Sequence, residues 1–238
     1  MASRKDQKEA LRREREARER EAQDAQRRKR LVGFGIGGAL ALAAVVVLVV
    51  LLVSGGGGGG DDASAELLPD GGEVPRQQVT DLERAAEAAG CELSSRRARS
   101  RDHTQDPNEA VEYPTKPPTS GKHFVEAAPD GAFGDPPPRD EEIVHTLEHG
   151  RVIFWFEPTL PEEQRANLKA LFDSDSYQMV LVPKSRMEAQ IAASAWNRDP
   201  DPLGTGRLLS CPRYNEKVFD ALRTFRDEHR SNGPEPVP

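Results

Sequence analysis

Imidazoles and one carboxylate make up the densest chemistry in this chain. His123 follows the run Pro117-Pro118-Thr119-Ser120-Gly121-Lys122, and His145-Thr146-Leu147-Glu148-His149-Gly150 comes next. Three of the five histidines thus fall within 27 residues, two of them four apart. On a helix, positions i and i+4 share a face, so both rings reach one metal ion. On a strand the same spacing sets them ~13 Å apart, so a shared ion requires a helix here. His103 is the fourth candidate ligand after His123, His145 and His149. Neutral imidazoles suit zinc or copper equally, and Met179 or Met187 beside them would tilt the choice toward copper.

The segment also fits the H-x-x-E-H spacing of inverted zinc peptidases, where Glu148 would be the water-activating group. Such an enzyme needs a long active-site helix and a third ligand, whereas Gly150 and a strand follow at once. A third use for these side chains is structural, with imidazoles and Glu148 hydrogen-bonding the proline loop. No Gly-rich phosphate loop lies between a strand and a helix, and no serine sits in a nucleophile elbow.

The elements that must position these groups are legible in part. Glu141 and Glu142 favour a helix N-terminus and Gly150 closes it, which predicts a helix over residues 139–149 with Val144 and Leu147 toward a core. Aromatic and β-branched content makes residues 151–156 a central strand and 177–182 a second one ended by Pro183. Residues 191–196 make a shorter third. Between the first two, residues 160–172 form an amphipathic helix with Pro161 at an early position. Residues 215–229 carry the apolar stripe Val218, Phe219, Leu222 and Phe225, and residues 77–89 make a short helix capped by Gly90. Residues 96–106 and 199–206 read as irregular, and Tyr113 to Pro118 as extended because each proline fixes its torsion. The expectation is an α+β domain with a small mixed sheet and packed helices, its parallel or antiparallel arrangement left open.

Charge is uneven along the 238 residues. Residues 1–30 carry 12 Lys+Arg against 7 Asp+Glu, so with a total of −7 the remainder carries −12. Interleaved acids argue against nucleic-acid binding and for a charged juxtamembrane helix. Residues 31–53 are 23 positions without a charged side chain, and at 1.5 Å rise they cover about 34 Å, enough to span a bilayer. The run exceeds a signal-peptide core of about 7–15 residues, so it reads as an uncleaved signal-anchor. Arg27-Arg28-Lys29-Arg30 keeps the N-terminus cytoplasmic and exports the rest. Cys91 and Cys211 are the only cysteines, and an oxidising compartment predicts that they pair.

Pro117-Pro118-Thr119-Ser120-Gly121, His123, Val144-His145, Leu147-Glu148-His149-Gly150, the strand to Pro158 and Ala195-Trp196 together resemble the bacterial membrane-anchored family catalogued as domain of unknown function 3105. The chain departs from that pattern at Lys122 and at Ala127-Ala128. The resemblance names no substrate, but it implies that His103, His123, His145 and His149 form one site. The expected organisation is a cytoplasmic helix (1–30), a transmembrane helix (31–53), a flexible Gly-rich linker (54–76), an exported domain (77–230) and a disordered tail (231–238). The expected function is binding of copper or zinc at the cell membrane, with the bilayer as partner. A metallohydrolase and a metal-free structural module of the cell envelope are the alternatives.

Overall fold

The computed structural model describes residues 67–235. The charged helix at 1–30, the apolar span at 31–53 and linker residues 54–66 lie outside them. Among the described residues no helix is long and apolar enough to cross a membrane.

The elements run α1 (Leu82–Ala89), β1 (Glu92–Arg97), β2 (His103–Thr104), β3 (His123–Phe124), β4 (Gly131–Ala132), α2 (Asp140–Glu148), β5 (Val152–Phe156), α3 (Glu162–Ser174), β6 (Met179–Pro183), β7 (Ile191–Asn197), β8 (Thr205–Cys211) and α4 (Val218–His229). Six strands form one mixed sheet in the order β1-β8-β7-β5-β6-β4, and β2 pairs separately with β3. The sheet is therefore larger than the small one expected. β5 and β6 are parallel and joined through α3, which makes that unit a βαβ crossover. β7 runs antiparallel to both β5 and β8. β1 and β8 carry no strand pattern in the sequence, because Glu92-Leu93-Ser94-Ser95-Arg96-Arg97 and Thr205-Gly206-Arg207 look like polar turns. β1 is an edge strand whose residues other than Leu93 are exposed, so its polarity is that of an edge and not of a loop.

Alternation along the strands divides the core between the two faces of the sheet. Val152, Phe154, Phe156, Met179, Leu181, Ala193 and Leu209 pack with the apolar stripes of α1, α3 and α4. Ile153, Trp155, Val180, Val182, Ala192 and Trp196 face the other way and meet Ile143, Val144 and Leu147 of α2. The histidine-bearing helix thus lies alone on its face, opposite the other three.

Local chemistry ends the helices. Asp81 caps α1 by accepting from Arg84 N–H at 3.0 Å, and Gly90 at φ 70° closes it. Glu142 Oε2 accepts from Arg139 N–H at 2.9 Å at the start of α2. A disulfide joins Cys91, after α1, to Cys211 at the end of β8, with Cα atoms 4.2 Å apart. It ties the first helix of the domain to an inner strand.

Two segments expected to be loose are packed. Residues 67–76 lie against the domain because Leu68 has a core to enter. Leu67 C=O accepts from Arg165 Nη1 at 2.5 Å, and Glu73 N–H donates to Asn167 Oδ1 at 2.7 Å. The part of the expected tail that is described is also held. Ser231 N–H donates to Gly150 O at 2.8 Å, and Glu235 N–H to Glu148 O at 3.1 Å. Prolines had suggested fraying, but the free carbonyls at the end of α2 give this segment partners.

Candidate metal centre

Three elements converge on one point. β2 and β3 pair in parallel with His103 directly opposite His123. That two-residue ribbon is held by His123 N–H to Asp102 O at 3.0 Å and Val125 N–H to Thr104 O at 2.9 Å. α2 adds His145 and, one turn later, Glu148. Ring centroids of His103, His123 and His145 lie 4.3, 4.9 and 4.8 Å apart. Each of His103, His123, His145 and Glu148 offers a donor atom, and the four lie within 4.8 Å of one another.

His149 stands beside this group and not within it. Its ring packs on that of His145 at 4.5 Å, but its nitrogens are not among the converging donors. The helical face that i and i+4 share was expected to bring in His149. Because α2 ends at Glu148 and His149 is its C-cap, the side chain that reaches inward with His145 is Glu148, at i+3. Both cysteines are tied up in their disulfide; Met179 lies in the core of the opposite face, while Met187 packs against the cluster that backs α2.

The backbone decides which ring nitrogens are available. His123 Nδ1 donates to Gly121 O at 2.8 Å, and His145 Nδ1 donates to Phe124 O at 2.9 Å. A carbonyl can only accept, so each Nδ1 carries a proton and each Nε2 is left to face the centre. The stiff proline loop serves this purpose. Gly121 adopts φ 131°, and Tyr113 Oη–H donates to Lys122 O at 2.8 Å. Gly206 of β8 lets the loop approach, since a Cβ there would sit 2.7 Å from Thr119 Cβ and 2.9 Å from Ser120 Oγ. Trp196 closes the inner wall, edge-on to His123 at 5.9 Å.

Glu148 is fully buried. Its Oε1 accepts from Arg101 Nε at 2.5 Å, while Oε2 has no hydrogen-bond partner. The nearest polar atoms to Oε2 are His123 Nε2 at 3.1 Å and His103 Nε2 at 3.6 Å, and those two nitrogens are 3.0 Å apart. Three lone-pair atoms in such a triangle repel unless a cation lies among them, whether a shared proton or a metal ion. Four-coordinate zinc with bonds near 2.0–2.1 Å sets its donors about 3.3 Å apart, close to these spacings. Burial pushes the Glu148 carboxyl up, but His123 and Arg101 outweigh it and bring it down to about 2. Burial, with help from the neighbouring His149 and His123, pushes His145 down to about 4. An anionic Glu148 and a neutral His145 are the states that metal ligation requires of them. The residues present therefore fit a divalent ion.

The same burial makes stability depend on pH. His145 lies near 4, and His229, buried on the other face and next to Arg207, is also pushed down to about 4. A depressed histidine binds fewer protons folded than unfolded, so its contribution is complete above pH 6.5 and is lost as pH falls from there toward 4. Metal-free protein is expected to lose about 2 kcal/mol per histidine between pH 7 and pH 5. Urea midpoints at the two pH values measure it, and equal midpoints would contradict it.

Arg101, which orients Glu148, and the carbonyls of Gly121 and Phe124 gave no signal in the sequence. Hydrogen bonds to the backbone across 21 residues leave no mark on composition. A family model described as Protein of unknown function (DUF3105) matches residues 103–237, a stretch that begins at the first of the four donors. No curated protein and no solved structure matches the chain.

Proposed function

We propose, from the premise that the chain belongs to the DUF3105 family, that its folded domain binds one divalent transition-metal ion through His103, His123, His145 and Glu148. The observation that carries this reading is the buried Glu148 Oε2, which faces two imidazole nitrogens with no hydrogen bond of its own. Burying unpaired polar atoms costs a few kcal/mol each, and a cation among them removes that cost. Three nitrogens and one carboxylate oxygen suit zinc, with copper(II) as the second occupant. Copper(I) favours sulfur, whereas these four donors are nitrogen and oxygen.

Glu148 stands as a ligand here and His149 outside the set, which differs from a peptidase helix whose two histidines bind and whose glutamate activates water. Binding is therefore favoured over hydrolysis. The apolar run at 31–53 and the basic residues before it support a place at the membrane, with the domain on the outer side. The Cys91–Cys211 bond suits that oxidising side.

The test uses the full chain in detergent, stripped with chelator, exposed to zinc or copper(II), and dialysed. About one equivalent is expected to remain, and X-ray absorption should report a first shell of nitrogen and oxygen near 2.0–2.1 Å for zinc, without sulfur. Retention of neither metal would leave the four side chains a purely structural cluster.

A further inference from the structure

We propose that a second site, on the face of the sheet away from His103, His123 and His145 and bordered by His229, binds a zwitterionic ligand of amino-acid size. A cavity of about 340 Å³ opens there between the start of α1, the end of α4 and the β1–β8 edge. Arg207 on β8 reaches into it. Leu209 and Cys211 belong to the core under α1 and α4, so the period-two alternation of the strand sends Arg207 to the same side. Gly206 takes the opposite side, against Thr119 and Ser120.

Among the described residues, the Arg207 guanidinium makes no hydrogen bond, ion pair or aromatic contact, and its Nε is buried. A guanidinium in a concave site without a partner is unusual, because its planar fork matches a carboxylate in bidentate fashion. Three carboxylates line the same cavity and none pairs with Arg207; Asp81 is taken up in capping α1 through Arg84 N–H, which leaves Glu83 and Glu228. Positive and negative groups are thus held in one pocket without neutralising each other. A simple anion would gain Arg207 but meet the two acids, and a simple cation would meet Arg207. A ligand with both charges satisfies all three. Its carboxylate faces Arg207, its ammonium faces Glu83 and Glu228, and Phe225 offers an apolar wall for a side chain. The volume lies at the lower end for ligand pockets, ~300–1,000 Å³, which fits an amino acid and not a nucleotide.

The experiment titrates zinc-loaded full chain in detergent separately with glycine, L-leucine and L-lysine, and with acetate and propylamine as singly charged controls. At least one amino acid is expected to bind saturably, and both controls at least about tenfold more weakly, a difference of about 1.4 kcal/mol. Arg207→Gln should weaken the amino acid about tenfold or more while zinc content stays unchanged. Glu228 is largely exposed, so Glu228→Gln folds whatever Arg207→Gln does, and it should weaken the amino acid but not acetate. The proposal is overturned if no amino acid binds, if acetate binds as tightly, or if both variants bind the amino acid like the parent.

Discussion

Alanine at His123 is expected to abolish retention of added zinc, while alanine at His149 leaves that retention intact. His123 is fully buried, its Nδ1 is held by Gly121 O, and its Nε2 lies within 3.1 Å of both His103 Nε2 and Glu148 Oε2. Removing it takes away the donor common to both short contacts. Changing groups that merely orient ligands costs about 10–100-fold in metal affinity, so loss of a central ligand should cost about 100-fold or more. His149 is close to His145 but contributes no donor, so His149→Ala should keep its zinc to within a few-fold. The comparison also has a readout in stability. At ligand concentrations near 100 times the dissociation constant, binding stabilises a native state by about 2.7 kcal/mol. The parent and His149→Ala should therefore melt higher with zinc, and His123→Ala should not respond. Equal zinc content in the two variants would refute the ligand assignment.

Reduction of the Cys91–Cys211 bond is expected to be the most destabilising covalent change available to the domain. The two residues are 120 apart in sequence, and a cross-link closing so long a loop restricts the unfolded chain by nominally about 4–5 kcal/mol. Cys211 sits in the core among Ile191, Val218 and Leu222, so its link anchors β8 and through it both β1 and β7. Equilibrium unfolding of the Cys91→Ala/Cys211→Ala protein against the oxidised parent measures the difference. A loss below about 1 kcal/mol would mean that the unfolded chain is already compact, or that packing carries the junction. β8 also holds Gly206 against the proline loop, so the reduced protein should bind zinc more weakly as well.

Much of this organisation could be read before any coordinates. β5, β6 and β7 are buried along their whole length, so apart from Ser194 and Asn197 of β7 their residues are apolar and the strands were visible. α2 was visible through Glu141, Glu142 and Gly150. β1 was not, because a strand paired on one side only has no need of apolar residues. β8 was hidden by Gly206 and Arg207, which serve the proline loop and a cavity and so contradict strand propensity. At the centre, the residues with intrinsic metal chemistry could be named from their types. The choice between Glu148 and His149 could not, because it turns on where one helix ends. The β2–β3 pairing joins residues 20 apart through two positions each, too short for any periodicity.

The two rims of the six-stranded sheet bear on crowding. On one side, the two-residue β4 is too short to template a neighbour. On the other, β1 turns Glu92, Ser94, Ser95, Arg96 and Arg97 to solvent, and paired guanidinium groups repel the same strand on another molecule. Copies brought close together would therefore lack a flat apolar edge along which to knit into fibrils, a tolerance that comes from the same polarity that hid the strand.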